Sequence, residues 1–301
     1  RMSNGRLHIS VYGAGELMPA LSVFDGVSEG KVQMGHSASY YWKGKAPAAQ
    51  FCSSIPFGLN AQQMNAWLYH GGGMELWQEV YQPFGIIPMA GGNTGMQMGG
   101  WFDKTVNSID DLNGLKMRLP GIGGEVLKQV GGVPVGGLAG RELYGALKNG
   151  AIDAAEWVGP YNDLPLGLYQ VAQYYYYPGW HSPGANMEFI INQQAFFALP
   201  DDLQQIIITA ARAVNQDMLD DYTQGHIEAL NTLINEHNVQ LKRFPNEVIK
   251  QLKSTRDAVL FAEAEKDPMF KKVLQAYLEN EQQVQRYFQY TEHALAQMTS
   301  S

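Results

Sequence analysis

Three segments between Asn93 and Trp180 each set one polar group among apolar neighbours: Asn93-Thr94-Gly95-Met96-Gln97-Met98-Gly99-Gly100-Trp101, Lys116-Met117-Arg118-Leu119-Pro120-Gly121, and Asp153-Ala154-Ala155-Glu156-Trp157-Val158-Gly159-Pro160. Arg118 stands between Met117 and Leu119, with Pro120 next. A guanidinium is a rigid five-donor fork suited to bidentate pairing with a carboxylate. Buried among apolar side chains it requires an anionic partner. Two partners are open. One is a protein acid, Glu125 or Glu156, in an ordinary buried ion pair. The other is a carboxylate from outside, with Gln97 and Glu156 contributing oxygens nearby, and such oxygens suit Na⁺ or Ca²⁺.

Other chemistries find less support. The glycine clusters at Gly71-Gly72-Gly73, Gly91-Gly92, Gly121-Ile122-Gly123-Gly124 and Gly131-Gly132 contain no Gly-x-x-x-x-Gly-Lys-Ser/Thr. The run at Gly121 also lacks the third spaced glycine and ribose-binding acid of a dinucleotide fingerprint, so these clusters read as turns and close backbone approaches. No Gly-x-Ser-x-Gly elbow occurs, and Cys52 beside Phe51 reads as core. The seven histidines form no His-x-x-x-His pair, which disfavours a zinc hydrolase, and only His181 sits in a suggestive setting. No catalytic residue is assigned.

Four strings carry a resemblance: Gln97-Met98-Gly99-Gly100-Trp101, Lys116-Met117-Arg118-Leu119-Pro120-Gly121-Ile122-Gly123-Gly124-Glu125, Glu156-Trp157-Val158-Gly159-Pro160-Tyr161-Asn162-Asp163, and Tyr174-Tyr175-Tyr176-Tyr177-Pro178-Gly179-Trp180-His181. They resemble the solute receptors of tripartite ATP-independent periplasmic (TRAP) transporters, more narrowly the branch that binds 2-oxo and 2-hydroxy acids. The likeness runs from Gly5 through the C-terminal helices. It implies an α/β fold of two lobes with a long helix spanning both, located in the periplasm. The implied task is to bind a small pyruvate-like 2-oxo or 2-hydroxy monocarboxylate and deliver it to the membrane permease subunits.

Carried over residue by residue, the resemblance makes Arg118 the clamp on the ligand carboxylate. Gln97, the Glu156 side chain and the Trp157 carbonyl would hold Ca²⁺ or Na⁺. Tyr40, Tyr41 and Trp42 would form an aromatic wall from the other lobe, while Trp157, Tyr41 and Trp180 read the ligand's side chain, with His181 adjacent. Where many relatives read Trp-His-Glu-Pro-Gly, this chain has Trp180-His181-Ser182-Pro183-Gly184. Ser182 thus stands at a metal-carboxylate position as a shorter neutral group. That change weakens a divalent site most, so the metal is expected to be weaker, monovalent, or partly ligated by Glu188 or water. Relatives also carry a strand and helix ahead of the Gly5 segment, so lobe I is expected without them. The alternative is a metal-assisted oxo-acid aldolase or decarboxylase with Glu156 as base; a carboxylate engaged by a metal is a poor free base, which favours the receptor.

The elements that must position these residues follow from periodicity. Residues 7–12 alternate as a strand, 20–28 read as a helix and 32–36 as a second strand, the spacing of a βαβ unit. The pattern returns with a short helix at 109–112, a strand at 116–119, a helix after Gly123, an amphipathic helix around Glu142 to Leu147 stopped by Gly150, and a strand at 152–157. From Asp201, Leu203, Ile207, Ala210, Val214, Met218, Ile227, Leu230 and Ile234 recur at helical spacing over about nine turns. Helical segments follow Phe244-Pro245 and Asp267-Pro268, the latter covering 269–298 with aromatics that fold back on the body or pack on a second copy. The expected division is lobe I over 1–92, lobe II over 93–195, and spine and C-terminal helices over 196–301.

With 301 residues, 45% hydrophobic and 17% charged, the chain can bury two cores and is not extensively disordered. Its net charge of −8 repels phosphate, so no nucleic-acid partner is expected. The single cysteine can close no intramolecular disulfide.

Overall fold

The computed structural model describes residues 2–299. Among them nine strands form: β1 Met34–Ser37, β2 Ile86–Asn93, β3 Gly100–Phe102, β4 Lys116–Arg118, β5 Val133–Val135, β6 Ala154–Ala155, β7 Tyr174–Tyr177, β8 Asn186–Asn192 and β9 Gln240–Arg243. They divide into two sheets. In lobe I, β8 lies between β1 and β2 and is antiparallel to both. Lobe II has the order β5-β4-β6-β3-β7-β9, with β3 antiparallel to its neighbours and the remaining pairs parallel.

This pairing redraws the boundaries expected at 92 and 195. β8, grouped by sequence with lobe II, is the central strand of lobe I, and β9, grouped with the terminal helices, is an edge strand of lobe II. A strand's apolar pattern states that it is half-buried and leaves its partner undefined. Residues 7–12 form no strand: they pair with no sheet edge, and Val11 is 89% exposed. The strand expected over 152–157 shrinks to the two residues Ala154–Ala155.

The helix Asp201–Asn235 spans 35 residues, about 52 Å at 1.5 Å per residue. Pro200 precedes it, its fixed φ suited to entry. Near its start Ile207 and Ala211 pack with Met89, Ile191 and Phe196 on lobe I; near its end Leu233 joins Trp101, Leu143 and Tyr175 in the core of lobe II. Val214, Ile227 and Ile234, expected in the apolar stripe, are exposed. No residue between Asn215 and Ala229 is buried, because this stretch crosses from one core to the other.

The C-terminal region folds back. Asp267 caps Pro268–Gln289 by accepting from the Phe270 N–H at 2.9 Å, and this helix buries Phe270, Val273, Leu274 and Tyr277. Phe270 meets Phe51, and Tyr277 meets Trp67, with ring centroids 4.8 and 5.2 Å apart. The tail then breaks into a separate helix, Glu292–Thr299, which buries none of its residues. Among the described residues no helix is long and apolar enough to cross a membrane.

One carboxyl lies inside the lobe I core. Glu188 on β8 is fully buried and accepts hydrogen bonds from Trp42 Nε1 and, at 2.8 Å, from Tyr81 Oη. Burial pushes its pKa up to about 7, partly opposed by these two donors. Between the ordinary carboxyl range and about 7, the folded protein keeps a proton that the unfolded chain has released, so stability falls as pH rises through that window. Glu188→Gln, whose amide can serve both partners, should flatten the slope. In urea unfolding, the wild type is expected to lose on the order of 2 kcal/mol more than the variant between pH 5 and pH 7.5; parallel losses would refute the assignment.

Candidate functional site

The chain crosses between the sheets after β2, where 94–99 lead to β3, and again after β7, where 178–185 lead back to β8. The crossings run side by side: the Thr94 N–H donates to the Ala185 carbonyl at 3.0 Å and the Gln97 N–H to the Ser182 carbonyl at 3.1 Å. Gly179 makes this possible, since a Cβ there would lie 2.0 Å from the Gln97 carbonyl oxygen. Gln97, His181 and Ser182 are thereby set where the lobes join, all buried.

Lobe II supplies the charges. Arg118 ends β4 and Glu156 follows β6; these strands pair in parallel, which brings the two residues together. Arg118 is 3% exposed and Glu156 2%. Arg118 Nη1 donates to the Glu156 carboxylate and, at 3.1 Å, to the Glu156 carbonyl. Its Nη2 donates to Tyr41 Oη across the cleft at 3.0 Å, and its guanidinium lies 4.8 Å from the centre of the Trp157 ring. Burial alone would lower the Arg118 pKa, but Glu156, Tyr41 and Tyr40 outweigh it and the net direction is upward. Arg118 is therefore held in its charged form beside the Glu156 carboxylate. Of the two acids open to Arg118, Glu156 takes it, and Glu125 instead meets Lys43 at 2.8 Å near the surface.

Beside the pair is a small cavity of about 20 Å³, room for about one water molecule. Tyr40, Ser54, Gln97, Glu156, His181 and Ser182 line it, and the segment from Pro120 to Gly123 closes one wall. His181 Nε2 lies 3.2 Å from Gln97 Oε1 and 3.3 Å from Glu156 Oε2, two oxygens that accept. The Ser182 hydroxyl has no protein partner. Among the described residues no group of three or more His, Cys, Asp or Glu could hold a metal. The donors at the cavity are instead one carboxylate and neutral oxygens, with Ser182 Oγ unpaired, a set that fits a hard cation of low charge.

The structure therefore gathers Gln97, Arg118, Glu156, Trp157, Tyr40, Tyr41, His181 and Ser182 at one place. Two aromatics stand elsewhere. Trp180 does not line the cavity: it is 4% exposed, stacks on Phe57 at 5.8 Å and meets His181 edge-on. Trp42 turns into the lobe I core to bond Glu188. Glu188, also expected to share in holding the cation, does not line the cavity; its two oxygens are taken by Trp42 and Tyr81. An aromatic run such as Tyr40-Tyr41-Trp42 does not specify which ring faces inward.

Asp163 carries a role that the sequence does not single out. Fully buried on the helix Pro160–Leu166, it accepts from Trp101 Nε1 at 2.9 Å, Tyr175 Oη at 2.7 Å and the Val158 N–H at 3.3 Å. Burial pushes its pKa up to about 6 against the pull of these donors. It pins the turn after Glu156 to the stacked Trp101–Tyr175 pair, whose centroids are 4.0 Å apart. Its sequence signal is one acid in the first helical turn, common enough to be overlooked.

Two α/β lobes joined by paired crossings and a long helix, with a small charged cavity between them, define a two-lobed ligand-binding protein. The chain belongs to family 7 of the bacterial extracellular solute-binding proteins, whose family model matches residues 1–267. A Nostoc sp. protein named monocarboxylate 2-oxoacid-binding periplasmic protein is 46% identical over 276 residues, covering 92% of this chain and 75% of that one. A TRAP periplasmic solute-binding protein from Colwellia psychrerythraea, crystallised with calcium and pyruvate, is 44% identical and superposes with a TM-score of 0.95, covering 98% of this chain and 90% of that one. Its counterpart from Pseudoalteromonas atlantica, crystallised with sodium and pyruvate, is 42% identical with the same TM-score and coverage.

Removing one member of the buried pair leaves the other charge without its partner. Arg118→Ala should destabilise the protein by about 3–5 kcal/mol, and combining Arg118→Met with Glu156→Gln should recover much of that loss. Urea denaturation of the single and double variants tests this coupling; a loss below about 1 kcal/mol for Arg118→Ala would show that the pair is not desolvated.

Proposed function

We propose that this protein is the periplasmic receptor of a TRAP transporter, that it binds a small 2-oxo or 2-hydroxy monocarboxylate of the pyruvate class together with a cation, and that it delivers the acid to the membrane permease. The observation that carries this is the buried Arg118–Glu156 pair at the edge of a cavity lined by oxygen donors. The pair is neutral as it stands. A monocarboxylate entering alone would leave one uncompensated negative charge in a water-poor space, which is strongly unfavourable. Entering with a cation, it leaves Arg118 free to grip the ligand carboxylate while Glu156 turns to the metal.

Gln97, Glu156, the Trp157 carbonyl and Ser182 would hold Na⁺ or Ca²⁺, and the cation supplies charge compensation and an anchor for the acid's oxygens. Tyr41 and Trp157 flank Arg118, so they orient the clamp, and Tyr40 and His181 bound the space beside it. The pyruvate complexes of the Colwellia and Pseudoalteromonas relatives support this ligand class, and the name of the Nostoc relative supports both class and compartment. Tyr287, Tyr290, Leu295 and Met298 are all more than 60% exposed at the C-terminal end, which supports a homodimer formed through the terminal helix.

Calorimetry with pyruvate in Na⁺ or Ca²⁺ buffer should show binding that weakens when the cation is replaced by a bulky organic one. Arg118→Ala should weaken it at least 100-fold, about 3 kcal/mol; unchanged affinity would overturn the clamp. The receptor reading also excludes turnover. Pyruvate or 2-oxobutyrate incubated with the metal-supplemented protein should give an unchanged NMR spectrum, and appearance of an aldol or decarboxylation product would replace the receptor with an enzyme.

A further inference from the structure

The wall of the cavity formed by lobe I contains polar atoms that neither the carboxylate clamp nor the cation donors use. Ser54 lines the cavity at 7% exposure, and its hydroxyl has no protein partner. Gln50, four residues earlier, is 3% exposed. Its Nε2 donates to the Pro47 carbonyl at 3.0 Å, which fixes the amide and leaves Oε1 as the other end, without a donor. That oxygen abuts the cavity wall at Gly121, where a Cβ would come within 3.3 Å of it.

The chemistry of these atoms restricts what can satisfy them. An amide oxygen only accepts, whereas a serine hydroxyl both donates and accepts. Leaving either buried and unpaired is unfavourable. The carboxylate and keto oxygens of an oxo acid carry no donor, so they cannot serve Gln50, and an alkyl side chain can serve neither residue. A ligand hydroxyl has the chemistry for both, since it can donate to an amide oxygen such as Gln50 Oε1 and accept from a hydroxyl such as Ser54 Oγ.

We propose that Gln50 and Ser54 form a hydroxyl subsite, and that the ligand is a short 2-oxo or 2-hydroxy acid bearing a further hydroxyl on C3. This rests on the receptor reading above and narrows it. Gly121 is required where it stands: at φ +63° an added Cβ would also crowd the Tyr40 Cβ at 3.2 Å.

The test compares 3-hydroxypyruvate with 2-oxobutyrate, which differ in hydroxyl against methyl at nearly equal size, with pyruvate as reference. Titration calorimetry is run in Na⁺ buffer on the wild type, Ser54→Ala and Gln50→Met, each checked for native circular dichroism and melting. The wild type should bind 3-hydroxypyruvate about tenfold or more tighter than 2-oxobutyrate, because a site built for a hydroxyl rejects its alkyl counterpart. Either variant should reduce that ratio at least fivefold. Equal or tighter binding of 2-oxobutyrate by the wild type overturns the subsite, as does a ratio unchanged in both variants. Pyruvate binding without hydroxyl preference overturns the subsite alone, whereas failure of all three acids to bind overturns the receptor reading and the subsite with it.

Discussion

The buried ion pair between Arg118 and Glu156 is the constraint around which the cleft is arranged. Two opposite charges can remain in a water-poor interior only if each meets the other and their spare donors and acceptors are served. Tyr41, the Glu156 carbonyl, Trp157 and His181 do this here. The same neutrality makes the pair responsive. Because it has no surplus charge, an anion can enter without penalty only with a compensating cation, so the electrostatics couple the two guests before any detail of shape is considered.

That arrangement depends on how the sheets are joined. The two crossings are zipped to each other, and the first is also clamped to the long helix. Asn215 accepts from the Gly92 N–H at 3.1 Å and donates to Asn65 at 2.8 Å. Further along, His226 Nε2 meets the Thr94 carbonyl at 3.1 Å while its Nδ1 accepts from the Tyr161 N–H at 3.2 Å. Those partners require the neutral imidazole, in keeping with a pKa lowered by burial. The helix therefore holds the crossing that carries Gln97 and also touches the helix that carries Asp163. Site residues from distant parts of the chain share one scaffold, the condition for holding a ligand in a defined geometry.

The sequence exposed part of this and concealed the rest for physical reasons. Arg118 and Glu156 are legible because a charged side chain in an apolar string must be paired, and the long helix because its ends bury apolar residues at helical spacing. The placement of β8 in lobe I is not legible, since nothing local in the pattern names a strand's partner. Trp42 and Trp180 resemble ligand-facing rings in a string of aromatics, yet one serves Glu188 and the other stacks on Phe57. Gln50 and Ser54 give no signal: a small polar residue inside an apolar stretch becomes informative only when every buried donor and acceptor around it has been accounted for.

The two lobes divide the work of recognition unequally. Lobe II provides the guanidinium, the carboxylate and the glycine-rich start of the helix Gly121–Gln129; lobe I provides phenols, an amide and a hydroxyl, all neutral. Glu188, buried in the lobe I core, anchors Trp42 and with it the short turn bearing Tyr40 and Tyr41. Charge acts over several ångströms, whereas a neutral hydrogen bond requires contact within about 3 Å. Lobe II can therefore act on a charge at a distance, whereas lobe I acts only on a group already in contact with it. Glycine at 121 and 123 lets the walls stand this close, because a side chain at either position would crowd Tyr40 or His181.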